Sequence, residues 1–247
     1  MKITSVNNEL VKETAKLLKS KYRDESGLFL IEGEKGVTEA INAKLSIKYI
    51  FVLDGYKEFQ GENVIETTES VLSKISDTKS PPKVIAVAQQ ALQDLSRLKK
   101  ANRVVLLEGI KDAGNLGTIL RTASAFNIDA VVLYGDTVDL YNPKCVRSTV
   151  GCLWKTPVFQ VKDLKSLSQI FNTYEKVATL PAGENTTSLK DFVPAEKTLV
   201  MFGSEAEGLS EELKNFASIN VTIEMNEAVE SLNLSVSAAV IMYKLKK

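Results

Sequence analysis

Residues 221–245 read VTIEMNEAVESLNLSVSAAVIMYKL. The apolar run from Val221 to Ile223 predicts a strand, and the polar residues after it, with Glu224 and Asn226, predict a loop. Ser231, Leu232 and Asn233 then lead into a segment in which Leu234, Ala238, Ile241 and Leu245 fall at helical spacing. Small residues at 235, 237, 238 and 239 let such a helix approach its neighbours closely. Ser231 and Asn233 stand where the first-turn N–H groups of a helix lack partners and side-chain caps are favoured. Capping is the plain reading of both. A strand, a loop and a buried C-terminal helix make the last unit of an α/β sheet.

Upstream, the same unit repeats. Val104–Leu107, Ala130–Tyr134, Val158–Val161, Lys176–Leu180 and Leu199–Phe202 are short apolar runs, and helical patterns fit between them. Continuous apolar strands alternating with helices predict a mainly parallel sheet covered on both faces. Ligands in such sheets bind beyond the C-terminal ends of the strands. The first eighty-eight residues predict a smaller α/β unit. It has strands at 28–31, 47–53, 63–65 and 84–88, and helices at 7–20, 34–43 and 69–75. The organisation expected is a small domain over 1–90, a polar linker over 91–102 and a large domain over 103–247. On the first helix, Lys12, Lys16, Lys19, Lys21 and Arg23 form a basic stripe, read here as a solvated face or a phosphate contact.

Composition narrows the chemistry. The 247 residues carry 31 basic and 31 acidic side chains, so the whole-molecule field is weak and a nucleic-acid partner has to be met locally. Cys145 and Cys152 do not form a zinc pattern, and no metal site is expected. Histidine is absent, which removes the commonest general base and the Ser-His-Asp triad. No run of eighteen apolar residues and no charged-then-apolar opening is present, so no membrane association and a cytoplasmic location are expected.

The loops after strands hold the candidate chemistry. EGIKDAGNLGTILRTASAF, residues 108–126, follows the first strand of the large domain and contains neither GxGxxG nor GxxxxGK[ST]. Its helix buries Leu116, Ile119, Leu120 and Ala123, leaving Asn115 near the start and Arg121 off the core face. GSEAEGLSEEL, residues 203–213, follows another strand and carries Glu205 between two glycines, with Ser210 placed to cap the next helix.

The runs NLGTILRTASAF (115–126), LVMFGSEAEGL (199–209) and IEMNEAVESLNLSVSAA (223–239) resemble, in order, the three motifs of the SpoU (TrmH-type) RNA 2′-O-ribose methyltransferases. DLYNPKCVRSTVGCLWKTPV (139–158) resembles the segment between the first two motifs. The first eighty-eight residues are similar to the L30e-like RNA-binding domain that precedes the methyltransferase domain in many members. The resemblance implies a SPOUT fold, a parallel α/β sheet with a C-terminal trefoil knot. It also implies bound S-adenosylmethionine (AdoMet), a homodimer with the site near the subunit interface, and a structured RNA substrate, with ribosomal RNA favoured and transfer RNA the alternative. By the same match Asn115 and Arg121 are the first-motif Asn and Arg, Glu205 the second-motif acid, and Ser231 and Asn233 the third-motif pair. Gly203, Ile223 and Leu232 fall at cofactor-binding positions, and Leu180 at the wall of the same pocket. The chain departs from the pattern at Ser204, often Asn, and at Glu224, usually Pro, where a fixed φ is lost. A nucleotide-dependent oxidoreductase lacks its glycine fingerprint here. An inactive RNA-binding assembly factor has only Glu224 in its favour.

Overall fold

Two sheets organise the described residues of the computed structural model, which are 1–91, 94–183, 185–226 and 228–246. In chain order the first elements are β1 (Lys2–Ile3), α1 (Glu9–Lys16), α2 (Ser20–Ser26), β2 (Leu28–Glu32), α3 (Glu34–Asn42), β3 (Ile47–Leu53), β4 (Val64–Thr67), α4 (Glu69–Lys74) and β5 (Val84–Gln89). A 3-10 turn at Leu95–Lys100 precedes β6 (Arg103–Glu108), α5 (Ala113–Ala125), β7 (Ala130–Tyr134), α6 (Pro143–Ser148) and β8 (Val158–Val161). The chain continues with α7 (Leu164–Ile170), β9 (Glu175–Thr179), β10 (Thr187–Ser188), β11 (Thr198–Phe202), α8 (Glu211–Phe216), β12 (Ile219–Thr222) and α9 (Leu234–Leu245).

Contacts divide the chain into residues 1–92 with 139–154, and residues 93–138 with 155–247. This differs from the linear division expected at 91–102, because α6 and its flanks count with the first unit. Residues 92 and 93 of the expected linker lie outside the described ones.

In the first unit a five-stranded mixed sheet runs β1-β4-β3-β5-β2. The predicted helix over 7–20 is two helices with a break at Leu17–Lys19. The cause is Arg23. It does not belong to a solvated basic stripe: its side chain is 2% exposed and its guanidinium grips Asp139 at 2.5 Å. It also donates to the Leu17 carbonyl at 2.8 Å, satisfying an acceptor at the end of α1 from outside that helix. Phe29 packs on Tyr141 with ring centroids 4.5 Å apart, and more distantly on Trp154. Segment 139–154 thus supplies the first unit with a counter-ion and an aromatic pair.

The second unit is built on a seven-stranded, all-parallel sheet in the order β10-β12-β9-β11-β6-β7-β8. Val104, Val105, Leu106 and Leu107 are fully buried, as are Leu199, Val200 and Met201, because both sheet faces are covered. This is why those strands read as unbroken apolar runs. The two-residue β10 carries no such run and gives no signal in the sequence.

Register decides where the loops emerge. β11 pairs with β6 from Thr198↔Arg103 to Phe202↔Leu107, so the loops after these strands leave side by side. β12 pairs with β9, which brings the loops after Thr179 and Thr222 together in the same way. α5 lies along α9, with Phe126 edge-on to Tyr243 at 5.6 Å. α9 buries Ala238, Ile241, Met242 and Leu245, while Val236, Val240 and Tyr243 face outward, Tyr243 being 57% exposed. A helix apolar on both sides has more than one surface to cover.

Candidate active site

Three loops are joined by one chain of side-chain hydrogen bonds. Asn233 caps α9, its Oδ1 accepting from Ser235 N at 2.9 Å. Asn233 Nδ2 donates to Asn115 Oδ1 at 3.1 Å, and Asn115 Nδ2 donates to Glu205 Oε1 at 2.9 Å. The polarity of this chain is forced. An ionised carboxylate only accepts, so Asn115 turns its amide nitrogen to Glu205 and leaves its oxygen for Asn233. Asn233 must then spend its nitrogen there, and its oxygen is left for the N-terminus of α9. Glu205 and the helix end therefore fix both amides between them.

Each loop has its own scaffold. Asp112, not Asn115, caps α5, accepting from Asn115 N at 2.7 Å. This frees the Asn115 side chain for the site. The loop after β11 is a tight bridge in which Ser204 and Gly208 exchange backbone hydrogen bonds at 3.0 and 3.1 Å, with Glu205 at its tip. Glu108 at the end of β6 accepts from Ser210 N at 2.8 Å and ties the two neighbouring loops together. Ser210 caps α8 as expected, accepting from Leu213 N.

Gly203 is required by space. A Cβ there would lie 1.9–2.1 Å from the backbone of Gly208 and Leu209. Gly203→Ala has to open the bridge and displace Glu205, at a cost of about 3 kcal/mol, the upper end for overpacking. Denaturant unfolding and AdoMet calorimetry on the variant check this; wild-type values on both would show that the bridge yields freely.

Two cavities flank the hydrogen-bonded chain. The larger, about 680 Å3, lies beyond the C-terminal ends of β6, β7 and β11 and is lined among others by Asn115, Glu205, Lys111, Asp136 and Ser204. This is the point where the chain runs to opposite sides of β6, the usual ligand position in open parallel sheets. Lys111 bonds the Asp136 carboxylate at 2.5 Å and holds its pKa below the ordinary value. Nearby, Tyr134 donates to Glu212, and burial together with that bond pushes the phenol up to about 12. Neither group is set for proton transfer near neutral pH.

The smaller cavity, about 150 Å3, sits where the loops after β9 and β12 meet the start of α9, with Leu180, Ile223, Ser231, Leu232 and Ile241 on its walls. Apolar side chains interspersed with the hydroxyls of Thr179, Thr222, Ser231 and Ser237 suit a flat ligand that carries both ring faces and polar edges. Ser231 is exposed and lines this slot; it is not the cap.

The sequence-derived residues thus fall into three sets. Asn115, Glu205 and Asn233 are bonded to one another. Leu180, Ile223, Ser231 and Leu232 line one slot. Gly203 shapes the loop between. Arg121 stands apart. It is exposed, lines neither cavity, and its side chain makes no hydrogen bond or ion pair to another described residue. On α5 it lies about 120° round the axis from Asn115 and about 9 Å further along. Glu108, Lys111 and Asp112 were not singled out beforehand, although their place directly after a strand was the available signal. Among the described residues no group of three or more His, Cys, Asp or Glu is arranged to hold a metal ion, and no helix is long and apolar enough to cross a membrane.

Comparison with known proteins bears on the same loops. The SpoU rRNA Methylase family profile matches residues 102–243, and that of the MRM3-like substrate binding domain matches residues 8–86. The chain is 31% identical over 251 residues to the 23S rRNA (guanosine(2553)-2′-O)-methyltransferase RlmP of Bacillus subtilis, covering 99% of this chain and 98% of that one. Its fold matches an AdoMet-bound rRNA methyltransferase from Sinorhizobium meliloti with a TM-score of 0.87 at 26% identity, covering 99% and 96% of the two chains. It also matches the SpoU methyltransferase AviRb from Streptomyces viridochromogenes, in complex with AdoMet, with a TM-score of 0.85 at 25% identity, covering 96% and 97%. The protein belongs to the SpoU rRNA methylase family, whose solved relatives bind AdoMet.

Proposed function

We propose that the protein transfers a methyl group from AdoMet to a ribose 2′-hydroxyl of 23S ribosomal RNA. The observation that carries this reading is the Asn233–Asn115–Glu205 chain, which runs from the lip of an apolar slot to the wall of a larger polar cavity. AdoMet supplies an activated methyl on a sulfonium when bound; Leu180, Ile223, Ser231 and Leu232 are the residues placed to hold it. Asn115 and Glu205 then border the space for the sugar. Their role is to hold the loops in one arrangement, so that the 2′-oxygen is positioned rather than searched for.

The remaining requirement is a group that stabilises the oxygen as it loses its proton, and the chain has no histidine. A guanidinium does this by hydrogen bonding and charge, without acting as a base. Arg121 is the candidate, and one protomer does not bring it to the cavity. Its side chain is exposed on α5, which packs along α9, the helix whose outward apolar face is formed by Val236, Val240 and Tyr243. We infer that a second copy covers this face and that the site is completed across the dimer. Val240→Asp places a charge in that interface and is expected to yield monomers by light scattering, with methyl transfer lost. A dimer of unchanged affinity would sink the inference.

The trefoil knot also belongs to this reading. It is supported by the insertion of β12 between β9 and β10, with the chain after β12 passing the cofactor slot before entering α9. The first unit, in this reading, receives structured RNA, and the enzyme works in the cytoplasm.

The test is a map of 2′-O-methyl sites in total RNA from cells with and without the gene. One 23S site should disappear and return on complementation. Loss of a transfer-RNA site would overturn the substrate, and no lost site would overturn the activity.

A further inference from the structure

The larger cavity carries a charge pattern that an RNA occupant has to meet. Carboxylates of Glu108, Asp112, Asp136, Glu205 and Glu207 stand on its walls, and among its described lining residues Lys111 is the one cation. A ribose of RNA does not enter alone, because its 2′-hydroxyl and its 3′-phosphodiester sit on neighbouring carbons. A sugar held beside Asn115 and Glu205 therefore brings a phosphate anion into an acidic surround, which repels it unless a cation faces it.

Three of the acids are spent on the scaffold. Glu108 accepts from Ser210 N, Asp112 caps α5, and Glu205 accepts from Asn115. Lys111 is placed differently. Its root is fixed: Gly109 N donates to the Tyr134 carbonyl at 3.0 Å, Val138 N donates to the Ile110 carbonyl at 2.7 Å, and Ile110 is fully buried. Its tip is open. The ammonium donates to the carbonyl and the carboxylate of Asp136 at 2.7 and 2.5 Å, and the two side chains are 63% and 95% exposed. An ion pair so open to water contributes little, and its members exchange readily for other partners. Lys111 thus stands at the cavity as a cation with an anchored base, a long reach and a weakly held counter-ion.

We propose that Lys111 binds the phosphodiester beside the methylated ribose, leaving Asp136 when RNA enters. Lysine meets phosphate as a point charge with no fixed bidentate geometry, so the contact forms over a range of approaches. Asp136 keeps the ammonium over the cavity in the free enzyme and competes with RNA for it. The assignment rests on the RNA reading above and adds a substrate-binding residue to it.

Methyl transfer by the full-length protein to an unmodified 23S ribosomal RNA transcript, measured across a series of KCl concentrations, tests the assignment. Lys111→Gln should raise KM about tenfold, as for loss of one charge-assisted hydrogen bond, with kcat and AdoMet affinity within about twofold of wild type. It should also flatten the slope of log KM against log salt by about 0.7–0.9, the share of one neutralised phosphate. Lys111→Arg should keep both values. Asp136→Asn removes the competing anion, so KM should fall by about twofold. A lysine that merely clamped two loops would make Lys111→Gln and Asp136→Asn fail alike, with the salt slope unchanged; either result overturns the proposal, as does a loss confined to kcat. The direction of the Asp136→Asn effect decides the matter even if Lys111→Gln fails to fold. Methylation with an unchanged slope in Lys111→Gln would remove this contact and leave the activity standing. If the wild type methylates no RNA, the activity falls, and the same slopes read from filter binding of the transcript decide Lys111 separately.

Discussion

Arg121→Ala is expected to lower methyl transfer by about two to three orders of magnitude while AdoMet affinity stays within about twofold, the range found when one preorganised donor is removed from a developing oxyanion. The separation of the two effects follows from geometry, because Arg121 lines neither the apolar slot nor the larger cavity of its own chain. Isothermal titration with AdoMet and a tritium-transfer assay measure the two quantities independently. A sharper version mixes two inactive proteins, Arg121→Ala and Glu205→Ala, after unfolding and refolding together. If Arg121 serves the partner's site, each mixed dimer has one intact site, and about a quarter of the wild-type activity returns in a two-fold symmetric assembly. If Arg121 serves its own chain, nothing returns. Full activity in the single variant would remove the guanidinium from the mechanism altogether.

Asp139→Ala is expected to destabilise the first unit by about 3–5 kcal/mol, the range for removing one partner of a buried ion pair. Arg23 is 2% exposed and Asp139 22%, so solvent screens the pair little. Arg23 directs both Nε and Nη2 at the same carboxylate, and its third contact, to the Leu17 carbonyl, compensates only part of the charge. The loss comes chiefly from the stranded guanidinium rather than from the missing attraction. The double variant Arg23→Met with Asp139→Leu should therefore recover most of the stability. Urea unfolding followed by circular dichroism gives the values. A loss under about 1 kcal/mol for Asp139→Ala would place the pair in the class of solvated surface ion pairs.

The position of Asp139 also explains what the sequence did not reveal. Strand runs buried on both faces, such as Val104–Leu107, announced themselves because burial on both faces demands unbroken apolar residues. Leu116, Ile119, Leu120 and Ala123 announced the buried face of α5 by their spacing. Periodicity cannot show a partner 116 positions away, so by spacing alone Arg23 reads as one more exposed cation, and the break between α1 and α2 that it occupies leaves no mark in the pattern. Assigning segment 139–154 to the first unit fails for the same reason: that segment reads as a continuation of the large domain until its contacts are known.

The site divides along similar lines. Asn115, Glu205 and Asn233 stand out by residue type after strands and at helix starts, yet the local reading of the two asparagines is capping and that of Glu205 a solvated loop acid. Only Asn233 caps; Asp112 caps α5, and the amide of Asn115 is free to bridge two loops. A cap is a local device that a sequence can display. A bridge between positions 115, 205 and 233 depends on strand register, and register between distant strands is a property of the assembled sheet.

The chain passes between its two units three times, at 92–93, 138–139 and 154–155. Exchange of the leading unit between relatives therefore cannot be made with a single splice. A chimera that imports residues 1–92 from another protein would pair the newcomer's Arg23 equivalent and ring stack with a foreign 139–154. Substrate preference, if it resides there, is inherited as two matched fragments, and grafting both together is the route by which such an enzyme could be retargeted to a different RNA.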